Sequence, residues 1–407
     1  MSSSLNRRTF LGAAAAGAAS LPAIARGTDA GASATPIRLD KPIPLEDIPT
    51  PALLVDLDRM ESNLRKMAED AKTMNVGVRP HAKTHKCPII AKMQMALGAV
   101  GICTAKVSEA EVMVAAGIDQ VLITSPVVTR GKISRVIDLA RQSGDVQMVV
   151  DNAKTIADFD AAAKSAGVRL RVVLDLDTGT KRTGVATGAP ALALAQQIDR
   201  AGSLQFDGLQ NYAGHLMHLV GHDVRKKLSD ETAGRAIETK RMIEQSGIKV
   251  DVLSGGGTGT FDIDGAIDEV TDLQVGSYLF MDAQYRKIGD ADSDVFDYFD
   301  PSLFVLVTAI SQPVPERITV DAGYKAFASD DALPEFRDIT GVTYRWGGDE
   351  HGIILLENPS RKMKLGDKME MMVSHCDPTV NLYDYYHPVR DGLVHELWPV
   401  AARGRSQ

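Results

Sequence analysis

Val76-Gly77-Val78-Arg79-Pro80-His81-Ala82-Lys83-Thr84-His85-Lys86 opens as an extended, β-branched run and closes as a proline-broken cationic turn. A helix-like stretch follows from Pro88. Lys83 therefore sits where a strand ends and a loop begins, among two histidines and a second lysine. Neighbouring positive charge and partial burial are both expected to lower its pKa. A lysine so tuned can form a Schiff base with an aldehyde cofactor. A basic surface loop is the plainer alternative, and on chemistry alone Lys86 competes with Lys83.

The run 76–83 is the first of eight. Similar apolar, β-branched-rich runs recur at 99–106, 120–126, 147–152, 170–177, 206–214, 250–255 and 271–279, with helical stretches between them. Strands alternating with helices predict a parallel sheet, and eight of them predict a closed (β/α)8 TIM-type barrel over residues 76–295. An open, doubly wound sheet would give the same local pattern. Beyond residue 295 the texture changes to short strands without helices, at 303–312, 317–321, 352–356, 368–375 and 392–399. Residues 296–400 are expected to form a C-terminal β-rich domain. Residues 50–75 supply a strand and a helix, and the strand 52–56 is expected to join that domain.

The first residues read as a targeting segment. Arg7-Arg8-Thr9-Phe10-Leu11 is a twin-arginine pair ahead of an apolar run to Ile24, and Ala23-Ile24-Ala25 is a small-x-small cleavage site. Residues 1–25 are the expected signal peptide and 26–49 a leader or linker, which implies a periplasmic protein. The apolar run is too short to span a bilayer. The 407 residues carry a net charge of −8 without a basic block, which argues against nucleic acid. Three widely separated cysteines give no disulfide framework.

A barrel gathers its chemistry at the C-terminal ends of its strands, with a phosphate site often after strands seven and eight. Lys83 ends the first run. After the seventh comes Ser254-Gly255-Gly256-Gly257-Thr258-Gly259-Thr260, where bare backbone and hydroxyls can approach a phosphate. After the eighth, Gly276-Ser277-Tyr278 can complete the cradle. The fifth ends in Asp175-Leu176-Asp177-Thr178-Gly179-Thr180-Lys181-Arg182, and the sixth runs into Asn211-Tyr212-Ala213-Gly214-His215-Leu216-Met217-His218. Polar, aromatic strand ends of this kind face a ligand or satisfy one another across the rim.

In the β-rich part, Met371-Met372-Val373-Ser374-His375-Cys376-Asp377-Pro378 stands out. If the segment is extended, His375 and Asp377 share a face and Cys376 points away. An imidazole beside a carboxylate suits a divalent metal with open positions. A simple His–Asp hydrogen bond at a strand end is the alternative.

Together these pieces resemble the fold-type III pyridoxal-phosphate enzymes, alanine-racemase-like barrels with a C-terminal β domain. Within them the chain is similar to the D-threonine aldolase/D-serine dehydratase branch. The resemblance spans Thr50 to Gly392 and rests on residues 79–86, 177–184 and 375–381. It implies pyridoxal 5'-phosphate bound to Lys83, with Arg182 at its phenolic oxygen and Tyr212 near its ring. Gly256, Gly257, Thr258 and Tyr278 would hold the phosphate, and His375 and Asp377 a divalent metal. The motif position, not the chemistry, favours Lys83 over Lys86.

Dehydratases of the branch typically carry His-x-Cys at the metal, whereas this chain has His375-x-Asp377. A carboxylate suits Mn²⁺ or Mg²⁺ better than Zn²⁺. The resemblance therefore implies a lyase that cleaves D-3-hydroxy amino acids to glycine and an aldehyde, with His375 in a catalytic role, in a homodimer. A D-serine or 3-hydroxyaspartate dehydratase is the nearest alternative. An amino-acid racemase, a non-catalytic pyridoxal-phosphate-binding protein and a metal hydrolase are the more distant ones.

Overall fold

A computed structural model describes residues 34–407, so the signal peptide expected over 1–25 lies outside the described residues. Eight parallel strands follow the order Gly77–Val78, Asp272–Leu273, Val252–Gly255, Leu204–Asn211, Leu170–Asp177, Val146–Val150, Val121–Ile123, Ile102–Thr104. Gly77 pairs with Asp272 at one end of this order. A parallel bridge between His81 and Cys103 joins the other end back to the first strand. That bridge closes the barrel and excludes an open sheet. A ninth short strand, Val185–Ala186, adds to the edge of Leu170–Asp177.

The outer face of the barrel packs in the ordinary way. The helices Arg130–Gln142 and Ala153–Ala166 bury Ile133, Val136 and Ile137, and Ile156 and Phe159, against the strands. Inside, apolar layers give way to hydrogen-bonded polar groups. Arg79 Nε lies 3.1 Å from Asp272 Oδ1, which also accepts from Ser254 Oγ at 2.6 Å. Gln210 Nε2 donates to Asp175 Oδ1 at 2.7 Å, and Gln274 Nε2 to Ser254 Oγ at 2.9 Å. Such groups are tolerated in a barrel only because each finds a partner.

The second sheet runs Ile37–Pro44, Leu393–Pro399, Tyr385–Arg390, Ala52–Asp56, Leu303–Val314, Arg317–Val320, Gly352–Leu356, Val342–Trp346. Lys368–Met372 pairs with Leu303–Val314 beside this path and carries Glu335–Phe336 on its own far side. The reading of 26–49 as leader or linker is corrected here, because Ile37–Pro44 pairs antiparallel with Leu393–Pro399, Ile37 opposite Leu397. The strand is half-exposed, and its partner lies at the other end of the chain, so its own residues hardly signal it.

One hydrophobic core joins the barrel rim to this sheet. Leu53, Val55, Val305, Met371 and Tyr386 share it with Leu279, Phe280 and Phe299. The helix Leu57–Met74 lies between the two parts, capped by Asp56, which accepts from Arg59 N. The His375 segment is thereby packed against the rim that carries Lys83.

Candidate active site

The turn carrying Lys83 is fixed from several sides. His81 Nδ1 accepts from Lys83 N at 3.3 Å while its Nε2 meets Thr124 Oγ1 at 3.1 Å. Tyr386 donates its hydroxyl to His85 O at 2.6 Å. Lys86 adopts a left-handed backbone (φ 51°), which is costly for lysine. Its ammonium is buried in an ion pair with Glu109, whose other oxygen accepts from Ala105 N and Lys106 N. Lys86 is thus used up inside the fold. The Lys83 side chain is 38% exposed, and its Nζ lies 3.6 Å from Asp377 Oδ2.

The expected lowering of the Lys83 pKa is corrected. The Tyr212 phenol and Asp377 outweigh burial and the Arg182 charge and hold the ammonium above its ordinary range. The sequence shows the cations on either side of Lys83 but not the groups that fold over it. Tyr212 stands between two cations, its ring centroid 5.9 Å from Lys83 Nζ and 5.7 Å from the Arg182 guanidinium. Arg182 itself is exposed.

The glycine loop lies on the same rim. Gly256 has φ 66°, and a Cβ there would meet Asp264 Oδ2 at 2.9 Å. At Gly257 a Cβ would lie 2.4 Å from the sulfur of Met217. Both residues are buried, yet their backbone N–H groups find no hydrogen-bond partner among the described residues. Buried orphan donors are rare, and two in succession are donors available to an anion. Thr258 follows them, its Oγ1 accepting from Tyr278 N at 3.0 Å. The Tyr278 ring is turned away, with its buried hydroxyl accepting from Gln94 Nε2 at 3.1 Å, so only its backbone faces the cradle.

His375 and Asp377 both face this region, but not as neighbours on an extended strand. His375 is extended and caps a short helix, Cys376–Val380, so Asp377 lies in that helix's first turn. The cap is anchored from the barrel by Asp282, which accepts from Cys376 N at 2.9 Å and from Tyr285 N at 2.9 Å. His375 Nδ1 meets Asp330 Oδ2 at 2.7 Å. The Asp377 carboxyl is held below its usual range, because Lys83 and His375 outweigh the opposing effect of burial. Burial pushes the Cys376 thiol far up, and its sulfur donates to Asp377 Oδ1 at 3.5 Å.

His218 completes the wall, its ring 4.6 Å from Tyr285 and 6.3 Å from His375. Burial and the charge of His375 push its pKa down to about 4. Asp282 and Asp330 escaped the sequence reading, since neither lies in a patterned motif. For Asp330 the one available signal is the doublet Asp330-Asp331, between Ala328-Ser329 and Ala332, and Asp282 has none.

The residues fit pyridoxal phosphate. There is a lysine at a strand end, an aromatic ring beside it, and a bare-backbone cradle for the phosphate. For a metal they offer two donors, His375 Nε2 and Asp377. No group of three or more His, Cys, Asp or Glu side chains among the described residues could hold one. A divalent cation would therefore keep most of its coordination positions for water and substrate.

Fold and site define a (β/α)8 barrel of the pyridoxal-phosphate class with an accessory β domain. Residues 55–284 match the alanine racemase N-terminal domain family, and the chain belongs to it. Residues 302–389 match the putative serine dehydratase domain. D-threonine aldolase of an Arthrobacter species is 40% identical over 364 residues, covering 89% of this chain and 95% of that protein. The 3-hydroxy-D-aspartate aldolase of Paracoccus denitrificans is 38% identical over 363 residues, covering 88% and 93%. The crystal structure of D-threonine aldolase from Filomicrobium marinum has a TM-score of 0.87 at 41% identity, covering 91% of this chain and 100% of that one.

Proposed function

We propose that this chain is a lyase that cleaves the Cα–Cβ bond of D-configured 3-hydroxy amino acids, D-threonine being the simplest, to glycine and an aldehyde. The observation that carries this reading is the meeting of Lys83, on the barrel, with Asp377 of the His375-x-Asp377 pair, on the β domain, at 3.6 Å. Similarity to two aldolases over nearly the whole chain supports it.

When bound, pyridoxal phosphate supplies an electron sink for the Cα carbanion, and a divalent cation, Mn²⁺ before Mg²⁺ or Zn²⁺, supplies Lewis acidity at the β-oxygen. The chain's residues do the rest. The free N–H groups of Gly256 and Gly257, with Thr258, receive the phosphate. Lys83 is the residue that would bind the cofactor's aldehyde through Nζ, and Asp377 Oδ2, 3.6 Å away, is the carboxylate that faces it. Tyr212 would back the cofactor ring, and Arg182 would hold its phenolic oxygen. His375 Nε2 has no hydrogen bond among the described residues, so its one lone pair would ligate the metal, with a water taking the β-hydroxyl proton, or, where it is not ligated, take that proton itself. His375 and Asp377 are the groups that would bind the metal.

The chain, loaded with pyridoxal phosphate, is to be given D- or L-threonine after metal removal and again with Mn²⁺. Acetaldehyde from the D-isomer alone, dependent on Mn²⁺, is expected. Release from the L-isomer, or equal rates without metal, would refute the stereochemical or the metal part. The proposal extends to export through Arg7-Arg8, tested by fusing residues 1–33 to a periplasmic reporter, and to a homodimer, tested by light scattering.

A further inference from the structure

The His375 ring is not free to turn. Its Nδ1 lies 2.7 Å from Asp330 Oδ2. A carboxylate accepts and cannot donate, so Nδ1 carries the proton and the lone pair of the neutral ring is on Nε2. The segment that carries Asp330 is itself stitched to the His375 helix. Ser374 Oγ donates to Ala328 O at 2.5 Å, and Ala328 N to Thr379 Oγ1 at 3.0 Å. The Thr379 hydroxyl donates in turn to His375 O at 2.7 Å, while Gln284 Nε2 holds the next residue through Asp331 Oδ2 at 3.0 Å. This bracing fixes the backbone on both sides of the His–Asp contact.

We propose that Asp330 is a positioning residue that fixes the tautomer and ring angle of His375, so that the Nε2 lone pair faces the reacting end of the site. Among the described residues no other hydrogen bond selects between the ring nitrogens. Nδ1 is the only atom of the ring with a hydrogen bond among the described residues. Without Asp330 the imidazole would exchange tautomers and swing. The Nε2 lone pair, whether it ligates the metal or accepts a proton, would then be presented for only part of the time. Carboxylates behind a ligating histidine raise its basicity and fix its orientation, and their loss weakens metal binding about 10–100-fold. This inference rests on the proposed role of His375.

The test uses the full chain loaded with pyridoxal phosphate. Mn²⁺ binding is measured by electron paramagnetic resonance for wild type, Asp330→Ala, Asp330→Asn and Asp330→Glu. Asp330→Ala is expected to weaken Mn²⁺ by about 10–100-fold with cofactor absorbance and melting temperature unchanged. Asp330→Asn should fall between, because its amide oxygen still accepts from Nδ1–H, and Asp330→Glu should recover part of the loss. A purely structural residue would instead lower melting temperature and cofactor retention together. Unchanged Mn²⁺ affinity in Asp330→Ala overturns the proposal.

A second readout needs no metal. ¹⁵N NMR of the histidine rings should show His375 protonated at Nδ1 in wild type and mixed in Asp330→Ala. A wild-type ring protonated at Nε2 overturns the proposal. If wild type binds no Mn²⁺ while the tautomer shift appears, the metal reading falls and the positioning role stands.

Discussion

Lys83 Nζ lies 3.6 Å from Asp377 Oδ2, and through this contact the barrel and the β domain meet at one site. The contact gives the two parts of the chain separate tasks. In the proposed function the barrel would hold the cofactor, and the β domain would act at the substrate's β-carbon. Asp377→Ala is expected to leave cofactor binding in place and to weaken Mn²⁺-dependent turnover about tenfold or more. Unchanged activity across a Mn²⁺ titration would remove Asp377 from the mechanism.

The two lysines of the turn should separate cleanly. Lys83→Ala is expected to lose the visible absorption of lysine-bound cofactor without loss of folding. Lys86→Met leaves Glu109 buried without its cation, so it should cost about 3–5 kcal/mol of stability. Denaturant titration and absorbance on both variants check this. Retained cofactor absorption in Lys83→Ala would move the attachment elsewhere.

The glycine cradle can be filled. In Gly257→Ala the new methyl would sit 2.4 Å from the Met217 sulfur, and overpacking of about 1–3 kcal/mol, if felt at the cradle, corresponds to about 5- to 150-fold in cofactor affinity. Met217→Ala in the same chain should restore part of it. Fluorescence titration with pyridoxal phosphate reads both, and unchanged affinity in Gly257→Ala would place the phosphate elsewhere.

Acid should act through His85. Burial pushes this fully buried imidazole down to about 4, from an ordinary value near 6.5. The unfolded chain therefore binds a proton that the folded chain refuses. Stability is whole above pH 6.5 and is lost as pH falls toward 4, by about 3 kcal/mol for this group. Asp175, raised to about 6 by burial, works in the opposite sense, its share being lost as pH rises toward 6. The comparison is thus between wild type and His85→Gln. The stability of the variant relative to wild type should rise as pH falls from 6.5 to 4, and a constant difference in melting temperature would contradict this.

The barrel is legible in the sequence because most of its strands lie in local apolar runs separated by helical stretches, and eight such runs leave few architectures. The strand Ile37–Pro44 is not, since what makes it a strand is Leu393–Pro399, far along the chain. The lysine turn and the glycine loop announce themselves through residue type. The electrostatics of Lys83 do not, because Tyr212 and Asp377 reach it only after folding. The condition of an extended segment holds at His375 but not over Cys376–Val380, which is helical. Pro378 suits the first turn of a helix, and Asp282 caps that helix from the barrel, a contact no local pattern encodes. Asp330 shows in the sequence only as half of an acidic doublet, and its contact with His375 forms only on folding.

The central claim is which bond breaks. The chain loaded with pyridoxal phosphate and Mn²⁺ should convert D-threonine to glycine and acetaldehyde in equal amounts, as read by mass spectrometry and an aldehyde assay. Formation of 2-oxobutanoate and ammonia instead would make it a dehydratase and contradict the account.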